Sequence, residues 1–391
     1  MISLIEAKKI IEQHVQTLPI MYPSVSHPRG FFLADNVFST VDVPPFDNAA
    51  MDGYAIAGIP DGLTYPVVAG LQAGDKPSFG LNPGEACRIF TGSAIPAGAN
   101  LVCAQEWVER VGDRITINAK EFVIGQHIRH KGSQCKRGAL LAPKGAAISP
   151  GLIGLLSSCG LENYPSYRSP KVSCIITGNE LVEPGNPLPS GKIYNSNGPA
   201  LHSYVLDCGA EIQQFFQVTD DLPTLNSALM KCVSDSDVVI LTGGISAGDY
   251  DLVKQSLENL GVETLFHKVR QKPGKPFYTG IKENQWFFGL PGNPASVLSC
   301  FNQYVKPCLR GLMGDPDPFA SPEQWPLSKE FNKKKGMSLI LKAQLKNGKV
   351  HPLPGQESFN LMSFSVCNGF VLLHEEDEHI PEGTMVDWFP W

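Results

Sequence analysis

The sequence predicts a multidomain α/β-plus-β protein, with a central open three-layer α/β domain, two β-rich domains and a small helical or mixed domain. Three observations predict it. At 391 residues the chain exceeds what one ordinary core organises, so two to four domains are expected. Residues 170 to about 313 alternate apolar strands with helices, and each strand runs into a Gly-rich or Pro-rich turn. The stretches on either side are broken by Pro and Gly into short strands, with 38 Gly and 32 Pro that follow no fixed period.

Taken in order, residues 1–38 begin with Leu4, Ile5, Ile10 and Ile11 set among Glu6, Lys8, Lys9 and Glu12, which predicts an amphipathic helix and not an uninterrupted secretory segment. Residues 39–134 carry the short runs beginning at Tyr65, Ala86, Leu101 and Arg114, a β-rich domain inserted into the first. Residues 135–168 hold an apolar helix from Pro150 to Cys159, expected to rejoin the N-terminal one in a linker and dimerisation domain. Residues 169–313 form the α/β domain: Val172–Ile176 leads into Thr177-Gly-Asn-Glu, Asp237–Leu241 into Thr242-Gly-Gly and a helix through Leu260, and Trp286–Leu290 into Pro291-Gly-Asn-Pro and a helix through Leu312. Residues 314–391 predict a small C-terminal β-barrel-like domain.

Bulk properties exclude several classes. With 42% hydrophobic and 18% charged residues the composition is that of a globular protein. A net charge of −6 and a pI near 5.9 argue against a general nucleic-acid binder, while leaving room for a small anion held by local Lys and Arg. No apolar run approaches a membrane span. The ten cysteines form no C-x-x-C pair and no Cys/His cluster at zinc spacing, so reduced thiols and a cytoplasmic location are expected.

Open α/β sheets bind ligands beyond the carboxyl ends of their strands, where helix N-termini favour anions. The turns there carry Thr177, Gly178, Gly243, Gly244, Gly248, Gly292 and Asn293, which let a ligand reach the backbone. They also carry Glu180, Asp220, Asp221, Asp249 and Asp251. Acids beside an anion-binding backbone call for a bridging divalent cation. Lys272 and Lys275 add positive charge for phosphate. The chemistry this suggests is a phosphate or pyrophosphate ester bound with Mg²⁺ and cut at a nucleotidyl bond. Single turn acids such as Asp221 and Asp249 more often cap helices.

No P-loop and no G-x-G-x-x-G fingerprint is present. His374-Glu-Glu-Asp-Glu-His379 is one residue too long for H-E-x-x-H and reads as a solvated acidic face. Gly244-Ile-Ser-Ala-Gly248 fits G-x-S-x-G between strand and helix, so a serine hydrolase with Ser246 as nucleophile is a rival, weakened by the lack of an HGGG-type segment.

The string Asp42-Val-Pro-Pro-Phe-Asp-Asn-Ala-Ala-Met-Asp-Gly-Tyr-Ala has no evident reason in fold propensity. It resembles the signature of the molybdopterin molybdenumtransferases, the MoeA enzymes and the gephyrin E domain. The resemblance continues, in order, through the segments beginning at Phe90, Gly125, Ile176, Leu241, Lys272 and Leu290. It implies an elongated four-domain homodimer that takes adenylylated molybdopterin and molybdate and, with Mg²⁺, releases AMP. By motif it places Asp52, Glu180 and Asp251 in catalytic roles, with Asp251, Glu180 and Asp220 facing the metal. Substrate-binding positions are Thr91, Arg129, Thr177, Gly178, Asp220, Gly243, Gly244, Ser246, Lys272, Lys275, Pro291, Asn293 and Ser358, where Pro291 stiffens its loop. The molybdopterin adenylyltransferase and recipient molybdoenzymes are expected partners, with no nucleic acid and no membrane. One departure stands out: after Arg129 the family continues Arg-x-Gly-Glu-Asp, whereas this chain reads His130-Lys-Gly-Ser133-Gln134. The lost acid pair opens a second reading, a non-catalytic molybdopterin-binding carrier.

Overall fold

The computed structural model describes residues 1–58, 64–118, 123–245 and 252–391. The chain divides into two compact units, one of residues 1–21, 29–34 and 166–391, the other of residues 22–28 and 35–165.

The chain opens with α1 (Leu4–His14), started by a capping box in which the Ser3 hydroxyl accepts the Glu6 N–H and the Glu6 carboxylate accepts the Ser3 N–H. Its buried face is Leu4, Ala7 and Ile11, one stripe at helical spacing, while Ile5 stays exposed.

The second unit is built on a six-stranded sheet. Its strands are β1 (Gly53–Ala57), β2 (Thr64–Leu71), β3 (Ala86–Ile89), β4 (Ala99–Ala104), β5 (Val108–Val111) and β6 (Arg114–Ile117), in the order β4-β1-β3-β2-β6-β5. The four predicted runs are β2, β3, β4 and β6. Both faces are covered: Ala55, Cys87, Ile89 and Val102 pack on one side, and Tyr54, Ile56, Leu101 and Ile115 on the other. Every residue of β1 is therefore buried, which is why the sequence there lacks polar alternation. Helix α2 (Pro150–Ser158) follows, capped by the Ser149 hydroxyl on the Leu152 N–H with Pro150 in the first turn.

The larger unit contains the α/β sheet. Its elements are β7 (Lys171–Thr177), α3 (Asn197–Asp207), β8 (Glu211–Val218), α4 (Leu222–Val233), β9 (Val238–Thr242), α5 (Leu252–Asn259), β10 (Glu263–His267), β11 (Tyr278–Lys282) and β12 (Gln285–Leu290). Helices α6 (Pro294–Cys300) and α7 (Lys306–Leu312) are joined by a π-helical turn at Phe301–Val305. The order is β8-β7-β9-β12-β11-β10, with the first four strands parallel and β11 running antiparallel to both its neighbours, β12 and β10. The sheet has six strands where the sequence predicts three. β8 reads Glu-Ile-Gln-Gln-Phe-Phe-Gln-Val, and its polar residues are tolerated because it is an edge strand. The central strand β9 is fully buried, and each large apolar side chain so buried contributes roughly 1.5–3 kcal/mol. α1 joins this core through Leu4, Ala7 and Ile11, beside Val172, Val238 and Phe288.

A second sheet in this unit contains β13 (Glu323–Pro326), β14 (Ser338–Lys346), β15 (Lys349–Pro352), β16 (Gly369–Leu373) and β17 (Met385–Pro390), with β14, β16, β17 and β13 adjacent in that order and β15 paired to β14. Gln271 and Lys272 pair in parallel with Ser338 and Leu339 of β14, so the lysine segment is stitched directly to this sheet.

Candidate active site

The aspartates of the Asp42–Ala55 string stand five residues apart, and each grips a loop amide. The Asp42 carboxylate accepts the Arg137 N–H at 2.9 Å and pairs with Lys131 Nζ at 3.4 Å. Asp47 accepts the Lys131 N–H at 2.7 Å and meets His130 Nδ1 at 3.1 Å. Asp52 Oδ1 accepts both the N–H and the hydroxyl of Thr91, each at 2.8 Å. These amide bonds, first among the causes, hold all three carboxyls below the usual carboxylate range. The next residue has a separate reason: a Cβ on Gly53 would lie 1.9 Å from the Cys103 carbonyl oxygen, so only glycine lets β1 approach β4. Arg129 is exposed and lies in a short antiparallel pair, Ile128–Arg129 against Asn48–Ala49, opposite Asn48. Ser133 and Gln134 are exposed too, and Gln134 donates its backbone N–H to the Val43 carbonyl. Asp52, Thr91 and Arg129 thus belong to the smaller unit.

The remaining described site residues belong to the larger unit. Registers across β8, β7, β9 and β12 align Val218 with Thr177, Ile176 with Thr242, and Thr242 with Leu290, so four turns leave one end of the sheet together. Asn179 and Asp220 clasp reciprocally at 3.1 Å, amide to carboxylate and amide to side-chain carbonyl, which joins the turn after β7 to that after β8. Glu180 is exposed on the first of these turns, and its carboxylate lies over Gly178. Asp221 caps α4 through the Thr224 N–H. Gly243 has φ +81°, and a Cβ there would lie 2.4 Å from the Thr177 carbonyl oxygen; Gly244 is also left-handed, at +61°. Ser246, Gly248, Asp249 and Asp251 lie outside the described residues.

Among the described residues, Thr177 Oγ1, Thr242 Oγ1 and Asn197 Oδ1 are buried without a hydrogen-bond partner, and Asn197 Nδ2 donates to the Gly292 carbonyl at 2.8 Å. Unpaired buried polar atoms cost free energy. Their gathering about the turns of one sheet end matches a surface that a polar ligand completes.

Lys272, Lys275, Pro291, Asn293 and Ser358 line one cavity of about 650 Å³. Both lysines are exposed toward solvent. Asn293 stands at the N-cap position of α6, but its side chain turns away to donate from Nδ2 to Ser358 Oγ at 3.0 Å, while the Ala295 N–H bonds the Ser358 carbonyl. The lining also includes the apolar side chains of Phe331, Leu339 and Leu341. A cavity lined by two cations, two hydrogen-bonding side chains and several apolar groups suits an amphiphilic anion.

Among the described residues no group of three His, Cys, Asp or Glu side chains is arranged to hold a metal ion. Glu180 and Asp220 nevertheless supply two exposed carboxylates on turns locked together by the Asn179 clasp. Hard oxygen donors of this kind fit a magnesium ion that keeps several waters.

Three family models match in succession: the MoeA N-terminal region (domain I and II) at residues 2–160, a probable molybdopterin binding domain at 173–311, and the MoeA C-terminal region (domain IV) at 324–391. A molybdopterin molybdenumtransferase of Haemophilus influenzae is 32% identical, with 100% of this chain and 99% of the relative covered. The molybdopterin molybdenumtransferase 2 of Mycobacterium tuberculosis is 31% identical, with 98% of each covered. The chain belongs to the MoeA family. Among solved structures, a molybdopterin biosynthesis MoeA protein from Pyrococcus horikosii superposes with TM-score 0.83 at 32% identity, covering 100% of this chain and 99% of that one. The multidomain α/β-plus-β architecture is accordingly that of MoeA proteins.

One residue of this MoeA-family chain escapes sequence reading. Lys342, 2% exposed, donates from Nζ to the carbonyls of Gly355, Glu357 and Asn360, the loop that carries Ser358. Burial lowers its pKa. Gln356 completes the cradle by bonding both the N–H and the carbonyl of Lys342. A lysine in an apolar strand, Leu-Ile-Leu-Lys-Ala, is the signal that a buried charge has a dedicated task.

Proposed function

We propose that this chain inserts molybdate into adenylylated molybdopterin, with Mg²⁺-dependent release of AMP, and so completes molybdenum cofactor. The cavity flanked by Lys272, Lys275, Asn293 and Ser358 beside the end of the α/β sheet carries this reading. Lys272 and Lys275 neutralise molybdate or phosphate oxygens, and Asn293 and Ser358 orient them by hydrogen bonds. Thr177, Gly178, Gly243, Gly244 and Ser246 bind the pterin phosphate through backbone and hydroxyl groups, with Pro291 stiffening the neighbouring turn. Thr91, held by Asp52, and Arg129 keep substrate-binding roles, and Asp52 serves the reaction with its carboxylate.

Glu180, Asp220 and Asp251 would hold Mg²⁺, which when bound draws charge off the phosphoryl oxygens. The division into residues 1–38 with 135–168, 39–134, 169–313 and 314–391, the homodimer, the cytoplasmic location and exchange with the adenylyltransferase and recipient molybdoenzymes belong to the same proposal. Support is the three consecutive family matches over nearly all of the chain.

The test mixes the purified protein with adenylylated molybdopterin, molybdate and Mg²⁺ and follows AMP and reconstitution of a molybdenum-dependent apoenzyme. AMP and active cofactor are expected together. Tight binding without either product would replace the proposal with the carrier reading and direct attention to Ser133 and Gln134. In Asp251→Asn, undiminished AMP release at limiting Mg²⁺ would remove that residue from the metal set.

A further inference from the structure

Among ten cysteines, two from distant parts of the smaller unit touch: Cys135 Sγ lies 3.8 Å from Cys159 Sγ. We propose that Cys135 and Cys159 are a reversible disulfide site that latches the His130–Arg137 loop to the end of α2. A disulfide needs its sulfurs at about 2.05 Å, so closure requires a movement under ~2 Å.

The two thiols differ in what can move. Cys159 is fully buried, and as the C-cap of α2 its N–H is bonded to the Leu155 carbonyl. Cys135 is half-buried in a loop whose neighbours Ser133, Gln134, Lys136 and Arg137 are exposed, so it both meets solvent and supplies the movement. Its backbone bonds Val43 in both directions, and two other points fasten this loop: Asp47 to His130 and Lys131, and Asp42 to Lys131 and Arg137. A cystine would add a covalent point to these noncovalent ones, six residues from Arg129.

The oxidant is a low-molecular-weight disulfide. The Cys135 thiolate attacks one of its sulfurs and displaces one thiolate, which leaves a mixed disulfide. The Cys159 thiolate then attacks Cys135 Sγ and displaces the second. The two protein thiols give up two electrons and two protons, and the oxidant leaves as two thiols. Excess thiol reverses both steps.

The full chain is incubated with oxidised glutathione, then alkylated, and its mass and peptides are read. Two thiols are expected to disappear with no adduct retained, and a peptide joining Cys135 to Cys159 should appear and vanish with dithiothreitol. Cys135→Ser should abolish the link. Cys159→Ser should trap glutathione on Cys135, which tests the order of attack even if the link itself is missed. Limited trypsin cleavage after Lys131, Lys136 and Arg137 should slow at least threefold in the oxidised protein and recover on reduction. Loss of thiols without that peptide, a persistent glutathione adduct on wild-type Cys135, or cleavage at an unchanged rate would overturn the proposal.

Discussion

Asp52 holds Thr91 with a single carboxylate oxygen, 2.8 Å from its amide nitrogen and 2.8 Å from its hydroxyl. The two residues are 39 apart in sequence, and the contact fixes the Phe90–Ser93 turn against the start of β1. Asp52→Asn retains an oxygen that can accept both bonds, so its melting temperature should stay within about 2 °C of wild type. Its AMP release should nonetheless fall at least tenfold, because the carboxylate charge is lost. Near-normal turnover in Asp52→Asn, with a large loss in Asp52→Ala, would reduce Asp52 to a fastener of Thr91.

Gly243 tests whether the turn after β9 must be bare. Alanine there combines a left-handed backbone with a Cβ 2.4 Å from the Thr177 carbonyl oxygen. Gly243→Ala should cost about 2–4 kcal/mol in urea unfolding, from backbone strain plus overpacking. A change under 0.5 kcal/mol would mean that the turn relaxes freely.

Lys342 is expected to set the shape of the Ser358 loop. Lys342→Met fills a similar volume but leaves three carbonyls without their donor, at about 2–4 kcal/mol of stability. Hydrogen exchange at residues 355–360 should accelerate in this variant, while Lys342→Arg should recover part of the protection. Unchanged exchange would show that Gln356 holds the loop alone.

Lys272 and Lys275 should contribute to anion affinity in a salt-dependent way. Lys272→Gln and Lys275→Gln should each weaken molybdate binding by roughly tenfold at low ionic strength, and the deficit should shrink by 0.5 M salt. Titration calorimetry at the two salt concentrations reads both effects. Equal affinity in wild type and variants would move the oxyanion elsewhere.

A pH effect on stability is expected from the C-terminal sheet. His374 Nε2 lies 3.0 Å from an Asp387 oxygen, and that hydrogen bond raises the histidine above its ordinary 6.5. A raised folded-state value means that the charged pair contributes fully below pH 6.5 while Asp387, held below its ordinary 3.8, stays ionised, and its contribution is lost as pH climbs through the folded-state histidine value. More than a third of the imidazole is exposed, so screening keeps the contribution below about 1 kcal/mol. The melting-temperature gap between wild type and His374→Gln should be constant in the mildly acidic range where Asp387 is ionised, and close on the alkaline side. A gap that widens with pH would contradict the pairing.

Much of this architecture was legible in the chain. Apolar runs such as Val238–Leu241 announce buried parallel strands because a strand covered on both faces has no place for polar alternation. The turns after them are marked by glycine because left-handed backbone and close approach select it, as at Gly243. The α/β class and the Thr177, Gly243 and Asn293 turns follow from these local demands, whereas the family resemblance rests on the motif strings themselves. The polar edge strand β8 was not legible, since its pairing with β7 comes from a partner distant in sequence and not from its own pattern.

The sequence by itself determined the central apolar strands β7, β9 and β12, the turns that follow them and which turns carry acids and lysines, because propensity, hydrophobic period and glycine geometry act over a few residues. Tertiary structure alone decided that Asp42, Asp47 and Asp52 grip three separate amides, that Lys342 supports the Ser358 loop and that Cys135 touches Cys159. Those relationships join residues 13 to 95 positions apart. Only packing of the whole chain brings such residues within the few ångströms over which a hydrogen bond or a sulfur contact acts.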